Sequence, residues 1–232
     1  MAAANNVKIV ALADMFEDRL QGCRDGLKNE KQIEIPDDHC FTGFDAYKEL
    51  LALDDVNYVI LATPPGFRPI HFQAAIQAGK NVFMEKPVAV DGPGIRTVIA
   101  TGELAKQKGL AVVAGTQRRH QNSYLETIKR LHDGAIGQIL ALRVYWNGGF
   151  IWDHPWRDGV SDMENELRNW YHYTWLCGDH IVEQHVHNLD VANWILNDHP
   201  IRAYGMGGRQ ALTGRGQKYD HFAVEFEYKN GA

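Results

Sequence analysis

The sequence predicts an α/β protein: a Rossmann-like, doubly wound parallel sheet lacking its first βα unit, followed by an α+β domain with a large, mostly antiparallel sheet. Three observations predict it. Short apolar runs of strand length alternate with helical stretches through the first half, and continuous apolar strands between helices mean a parallel sheet covered on both faces. The second half has longer strand-like runs and few crossovers, which suits antiparallel pairing. No G-x-G-x-x-G occurs in the 232 residues, although a doubly wound nucleotide domain opens with a strand, a Gly-rich turn and a helix.

In chain order, Val7–Ala13 reads as a strand and about Phe16–Leu27 as a helix. "FDAYKELLAL" (44–53) is helical and "NYVILAT" (57–63) is a buried strand. Ile70–Ala78 is a helix closed by Gly79, the residue type that ends helices in the left-handed conformation. "NVFME" (81–85) is the next strand. Ile95–Lys108 is a helix backed by Gly109, and "LAVVAG" (110–115) is a further strand. The boundary falls near 116–121, giving domains 1–118 and 119–232. Beyond it, Ser123 and Glu126 form a capping-box pattern at a helix start. "QILALRVYW" (138–146) reads as a strand, 178–197 as a helix, and "IRAYGMG" and "HFAVEFEY" as strands. The chain closes on "YKNGA", a turn signal behind a strand. The sequence therefore predicts truncation at both ends, and weak NAD binding for want of the phosphate turn.

Composition sets limits on function. With 45% hydrophobic and 23% charged residues and a net charge of -5, the chain has no basic footprint for nucleic acid. No apolar run approaches the ~20 residues that span a bilayer. The first residues lack the charged and apolar regions of a signal peptide. A cytoplasmic location is the default, and a periplasmic one would follow from an export signal ahead of Met1. Cys23, Cys40 and Cys177 are scattered and odd in number, which argues against a disulfide framework or a structural zinc site.

Four constellations carry chemistry. Asp14 ends the first strand, where an acidic residue either accepts from adenosine ribose hydroxyls, favouring NAD over NADP, or caps the next helix. "ATPP" (62–65) lies at the carboxyl edge of a strand, where open α/β sheets bind ligands, with His71 on the following helix. Glu85-Lys86-Pro87 ends another strand on two opposite charges. Its bland reading is an exposed ion pair worth at most ~1 kcal/mol; its functional reading is a lysine that stabilises a developing alkoxide, paired with Glu85 or neighbouring polar groups. The fourth is "GDHIVEQHVHNLDVANW" (178–194). On one continuous helix, His180, Glu183, His187 and Asp190 fall within roughly 80°, and no Lys or Arg occurs from Asn169 to Ile201. Such a stripe reads as a cavity wall. A metal site is the rival reading, opposed by His185 pointing away from His187, so no metal is expected. The loop from Gly148 to Trp175 adds Phe150, Trp152, Trp156, Tyr171 and Arg157. Aromatic faces beside polar forks hold sugar rings, or pack among themselves or at an oligomer interface.

"ATPPGFRPIHFQAAIQAGKNVFMEKPVAV" resembles the central signature of the glucose–fructose oxidoreductase and inositol dehydrogenase family (Gfo/Idh/MocA), and the resemblance covers essentially the whole chain. It implies a nicotinamide-dependent oxidoreductase acting on sugars, polyols or related rings. It places Asp14, Thr63, Pro64, His71, Glu85, Lys86, Gln117 and Arg118 at the cofactor, with Lys86, Glu183 and His187 catalytic and His187 the general base. The substrate, a carbohydrate or polyol, would meet Lys86, Trp156, Arg157, Tyr171, Glu183 and His187. A homo-oligomer is expected through the open face of the second sheet. Glu183 stands where the family usually has Asp, and His185 where Gly is common. Two further readings stay open: an NAD-using glycosidase and a non-catalytic sugar-binding or assembly subunit.

Overall fold

The structure, a computed structural model, describes residues 6–149 and 151–232. Phe150, one of the loop aromatics, lies outside the described residues. The chain forms two compact units. One comprises the chain up to Thr63 with Arg68–Met84 and Arg96–Val113; the other comprises Pro64–Phe67, Glu85–Ile95 and Ala114–Ala232.

In the first unit, β1 (Leu12–Asp14) leads through α1 (Glu17–Lys31) to β2 (Cys40–Thr42), and the two strands pair in parallel with Leu12 opposite Cys40. After α2 (Ala46–Leu51), β3 (Tyr58–Leu61) leads through α3 (Arg68–Gln77) to β4 (Asn81–Met84). These also pair in parallel, Tyr58 opposite Asn81 and Leu61 opposite Met84. Then α4 (Gly92–Gln107) leads to β5 (Val112–Ala114), giving the order β3-β4-β5. The core lies where α3 meets β4: Phe72, Ala75, Ile76 and Val82 are fully buried. Both ends of α3 are tied down. The buried Arg68 guanidinium donates to the Leu61 carbonyl at 2.5 Å. Lys108 Nζ donates to the Ile76 and Gln77 carbonyls, both at 3.0 Å, where a cation complements the exposed carbonyls of a helix end. Gly79 closes this helix at φ 74°, as its sequence position predicts.

The bounds of the first strand and the burial of β3 need correction here. The first strand is Leu12–Asp14 rather than Val7–Ala13, because its partner β2 offers only three residues and, among the described residues, Val7–Ala11 join no ladder. The parallel strands also form two separate sheets, with β1 and β3 each hydrogen-bonded on one side only. The expected burial of β3 is confined to one face: Val59 is 6% exposed, Tyr58 47% and Ile60 67%.

The second unit holds α5 (Asn122–His132), α6 (Asp162–Arg168), α7 (Thr174–Cys177), α8 (Asp179–Glu183) and α9 (Val186–Leu196). It ends with β6 (Pro200–Gly208) and β7 (His221–Tyr228), an antiparallel pair with Ala203 opposite Phe226. Residues 138–146 form no strand, because no segment among the described residues pairs with them; Leu140 is 72% exposed. Ser123 does not cap α5, which starts one residue earlier behind Gln121. Glu126 instead accepts from Arg130 at 2.8 Å, one turn ahead. The side-chain cap appears at α6, where Ser161 Oγ accepts from Glu164 N–H at 3.1 Å.

The helix expected over 178–197 is broken into α8 and α9. The N–H groups of Gln184 and His185 both reach the His180 carbonyl, an offset of the π type that inserts one residue. No helix among the described residues is long and apolar enough to cross a membrane.

The "TPPGF" turn is fixed by Gly66. A Cβ there would lie 2.5 Å from the Trp175 carbonyl oxygen and 3.2 Å from Leu176 Cα, so only glycine lets the two backbones approach this closely. Gly66→Ala is expected to destabilise the protein by about 1–3 kcal/mol, as overpacking does. Urea unfolding checks this; an unchanged midpoint would show that the turn relaxes freely.

Candidate active site

Lys86 forms the centre of the second unit's polar cluster. The ladder of β4 ends at Met84, and the turn that follows holds a cis Lys86–Pro87 peptide bond. Glu85 sits across from Gly115, where an added Cβ would meet Glu85 Oε2 at 2.6 Å and Glu85 Cα at 3.3 Å. Lys86 does not pair with Glu85. Its Nζ donates to the Glu183 carbonyl at 2.6 Å and to Glu183 Oε1 at 2.9 Å. The two side chains are only 16% and 6% exposed, so the pair lies largely out of water.

The broken helix makes this contact available. In a continuous helix the Glu183 carbonyl would serve the His187 N–H; here that N–H goes to Gln184 O at 3.2 Å. The carbonyl at the end of α8 is thus turned to Lys86, a cation at a helix C-terminus.

His187 is 7% exposed and lies flat against Trp146, ring centroids 5.5 Å apart with 22° between planes. Burial lowers its pKa to about 4, helped by the charges of Lys86 and Arg118 and opposed by Asp190. The ring is therefore neutral at pH 7. Arg118 donates a short hydrogen bond to Asn188 Oδ1 and packs over the Tyr124 and Trp146 rings at 5.5 and 5.6 Å. Arg119 grips the Asp190 carboxylate, with Nε at 2.9 Å from Oδ2 and Nη2 at 2.9 Å from Oδ1. The stripe is cation-free in sequence, yet cations from the 85–87 and 117–120 turns meet it in space.

The structure splits the four-residue stripe. Glu183 and His187 face Lys86 and Trp146, and Asp190 faces Arg119. His180 packs edge-on against His185, centroids 5.2 Å apart, and stacks on Phe222. Among the described residues no cluster of His, Cys, Asp or Glu is arranged to hold a metal ion.

The remaining predicted residues scatter. Gln117 is exposed at the start of the 117–120 turn. Tyr171 is buried, its hydroxyl accepting from Gln184 Nε2 at 2.6 Å and its ring under Lys218 Nζ at 4.2 Å; burial raises its pKa. Arg157 is exposed, and Asn165 holds its backbone: the N–H donates to Asn165 Oδ1 at 2.9 Å and the carbonyl accepts from Asn165 Nδ2 at 3.1 Å. Trp156 lies under the Arg215 guanidinium, 4.2 Å from the ring centroid. In the first unit, Thr63 Oγ1 and His71 Nδ1 are 3.1 Å apart, and His71 tilts against Tyr47. Asp14 Oδ1 accepts the Phe16 N–H at 2.9 Å at the head of α1. Pro64 belongs to the turn that Gly66 fixes. Sequence reasoning missed Arg119, Asn188, Trp146 and Gly115. The signals available were the doubled Arg118-Arg119 behind a strand and a glycine at that strand's end.

Residues 1–116 match the family model described as "Oxidoreductase family, NAD-binding Rossmann fold", and residues 124–232 match the "GFO/IDH/MocA C-terminal domain". The chain belongs to the Gfo/Idh/MocA family. A Gfo/Idh/MocA relative named inositol 2-dehydrogenase/D-chiro-inositol 3-dehydrogenase, from Halalkalibacterium halodurans, is 27% identical over 82% of this chain and 46% of its own length. An uncharacterized oxidoreductase of Streptococcus pneumoniae is 27% identical over 78% of this chain and 46% of its own. The chain spans about half the length of these curated relatives. Among solved structures, myo-inositol 2-dehydrogenase from Lactobacillus plantarum superposes with a TM-score of 0.69 at 21% identity, over 98% of this chain and 60% of that one. Scyllo-inositol dehydrogenase from Lactobacillus casei, solved with NAD(H) and scyllo-inositol, gives 0.67 at 20% identity, over 97% and 59%. These likenesses show the fold: a parallel-sheet domain of the NAD-binding Rossmann type joined to one with an antiparallel sheet.

The depressed histidines carry a sign. His71 is also lowered to about 4, by burial first and the Arg68 charge second. Each ring binds more protons unfolded, near pH 6.5, than folded. Its contribution to stability is therefore full above about pH 6.5 and lost as pH falls toward 4. The urea midpoint is expected to drop across that window, and His71→Gln to shrink the drop. A flat profile would contradict the burial of both rings.

Proposed function

We propose that this chain carries the hydride-transfer centre of an NAD-dependent dehydrogenase that oxidises a secondary alcohol of a sugar, cyclitol or related polyol. The observation that carries the reading is the grouping of Lys86, Glu183 and His187: a lysine held by two oxygens, beside a buried histidine that is neutral at pH 7. The relatives named as inositol dehydrogenases support the substrate class.

The chemistry follows from the donors. An ammonium has three N–H bonds. Glu183 takes two of them, which aims the third away from Glu183, toward a substrate oxygen. Lys86 then steadies negative charge on that oxygen as its proton leaves. His187, neutral, accepts the proton at an imidazole nitrogen, and Glu183 fixes Lys86 and balances its charge. The Trp146 face against His187 keeps water from that side of the ring.

The residues fit NAD at its adenosine end. Asp14 ends a parallel strand with Oδ1 held by Phe16 N–H, leaving Oδ2 to accept from ribose hydroxyls and to repel a 2′-phosphate. Thr63, Pro64, His71, Glu85, Gln117 and Arg118 are proposed to line the remainder. Bound NAD supplies a hydride acceptor. Of the loop residues, Arg157 and Tyr171 remain candidates for contacting the substrate ring. Assembly as a homo-oligomer is proposed through the β6–β7 pair, where Tyr204 is 77% and Met206 72% exposed.

Turnover with NAD and a panel of inositols and aldoses tests the reading. Lys86→Ala is expected to lower kcat by ~100-fold or more, as for loss of a group acting in proton transfer. In the unaltered protein kcat/KM should fall as pH drops toward 4, and His187→Asn should remove that limb. Unaltered turnover in the lysine variant, or the same limb in the histidine variant, would take these groups out of the mechanism.

A further inference from the structure

The second unit contains a cavity of about 270 Å³ whose lining includes none of Lys86, Glu183 and His187. It opens between the segment 153–156, the stretch 169–173 and the β6–β7 connection. Its volume lies below the roughly 300–1,000 Å³ of pockets for drug-sized ligands, which suits a single ring.

This pocket is built and held. Asn169, 4% exposed, clamps the 154 backbone from both sides: its Oδ1 accepts His154 N–H at 2.8 Å and its Nδ2 donates to His154 O at 3.0 Å. His172 Nε2 pairs with Trp152 O at 2.8 Å. The opposite wall is fixed just as firmly. Asp220 Oδ2 accepts three successive backbone N–H groups, from Gln210, Ala211 and Leu212, at 2.9, 2.7 and 2.9 Å. Arg209 donates to the carbonyls of Leu212, Gly214 and Gly216. Gly216, at φ 91°, lies where any Cβ would strike the His172 backbone, and Gln217 N–H closes the contact to His172 O at 3.1 Å. A connection clamped by a carboxylate and a guanidinium holds Arg215 in place before any ligand arrives, which lowers the ordering cost of binding.

The groups left facing the cavity are complementary to hydroxyls. Arg215 covers one face of the Trp156 ring, and its guanidinium makes no ion pair among the described residues. Asp153 comes within 3.4 Å of the Cβ position of Gly214 and likewise has no partner among the described residues. The Tyr173 ring, 4% exposed, lines the same space. A hydroxyl both donates and accepts, so a polyol ring serves the carboxylate and the guanidinium at once. An anion would meet Asp153 unfavourably, and a cation Arg215.

We propose that this pocket is a binding site for a pyranose-sized, uncharged polyol, separate from the Lys86 centre. The site holds the ring between Asp153 and Arg215 over the aromatic wall, without hydride transfer. The probes are methyl α-glucopyranoside and myo-inositol, titrated calorimetrically and followed by saturation-transfer NMR. Loss of charged hydrogen-bond partners should weaken binding at least about tenfold. That loss is expected in Asp153→Ala/Arg215→Ala, whose two side chains are exposed, so circular dichroism should show an intact fold. Binding should persist in Lys86→Ala/His187→Asn. Undiminished binding by the first variant would overturn the proposal, as would loss of all binding in the second or no binding by the unaltered protein at the highest soluble probe concentration.

Discussion

The contact between Lys86 and Glu183 is the constraint around which the second unit's polar cluster is arranged. It joins residues 97 positions apart, tying the turn after β4 to the end of α8. Largely desolvated ion pairs return their desolvation cost only with good geometry and added hydrogen bonds. Here the second bond is to a backbone carbonyl, and the helix break supplies it. With the lysine anchored, His187 sits beside a fixed positive charge as well as being buried, and both effects keep it unprotonated at neutral pH.

The neighbouring features follow from accommodating that contact. Gly115 leaves room for Glu85 where a side chain would press on it, so the turn presents Lys86 toward Glu183. Gly66 allows the "TPPGF" turn to meet the 174–177 helix at backbone distance. Arg118 and Arg119 bring guanidinium groups to Asn188 and Asp190, so α9 is pinned on the face that also carries His187. Each device is local and inexpensive, and together they hold Lys86 and His187 within electrostatic reach.

The sequence was informative where chemistry and periodicity coincide. Continuous apolar runs revealed β3 and β4, and the charges at Glu85-Lys86 marked the end of β4. It was less informative where the outcome depends on pairing. Residues 138–146 have strand composition and no strand partner among the described residues, and Val7–Ala11 lie beyond the reach of β2. Cys40–Thr42 is too short to be recognised without β1. The helical wheel put Glu183 and His187 on one face, but one inserted residue at Gln184–His185 cannot be read from periodicity. That insertion sends His180 to Phe222 and frees the Glu183 carbonyl. The partner of Lys86 was also hidden, because Glu85 is its neighbour in sequence and Glu183 its neighbour in space.

A double-mutant cycle on Lys86 and Glu183 tests this account most directly, using Lys86→Met, Glu183→Leu and the pair, with unfolding free energy as the readout. Residues in direct contact show coupling of roughly 0.5–3 kcal/mol, and partners this buried should lie in the upper half of that range. The account predicts that each single variant is clearly destabilised and that the double variant recovers part of the loss. Strict additivity of the two single effects would contradict it, because Lys86 would then be held by something other than Glu183.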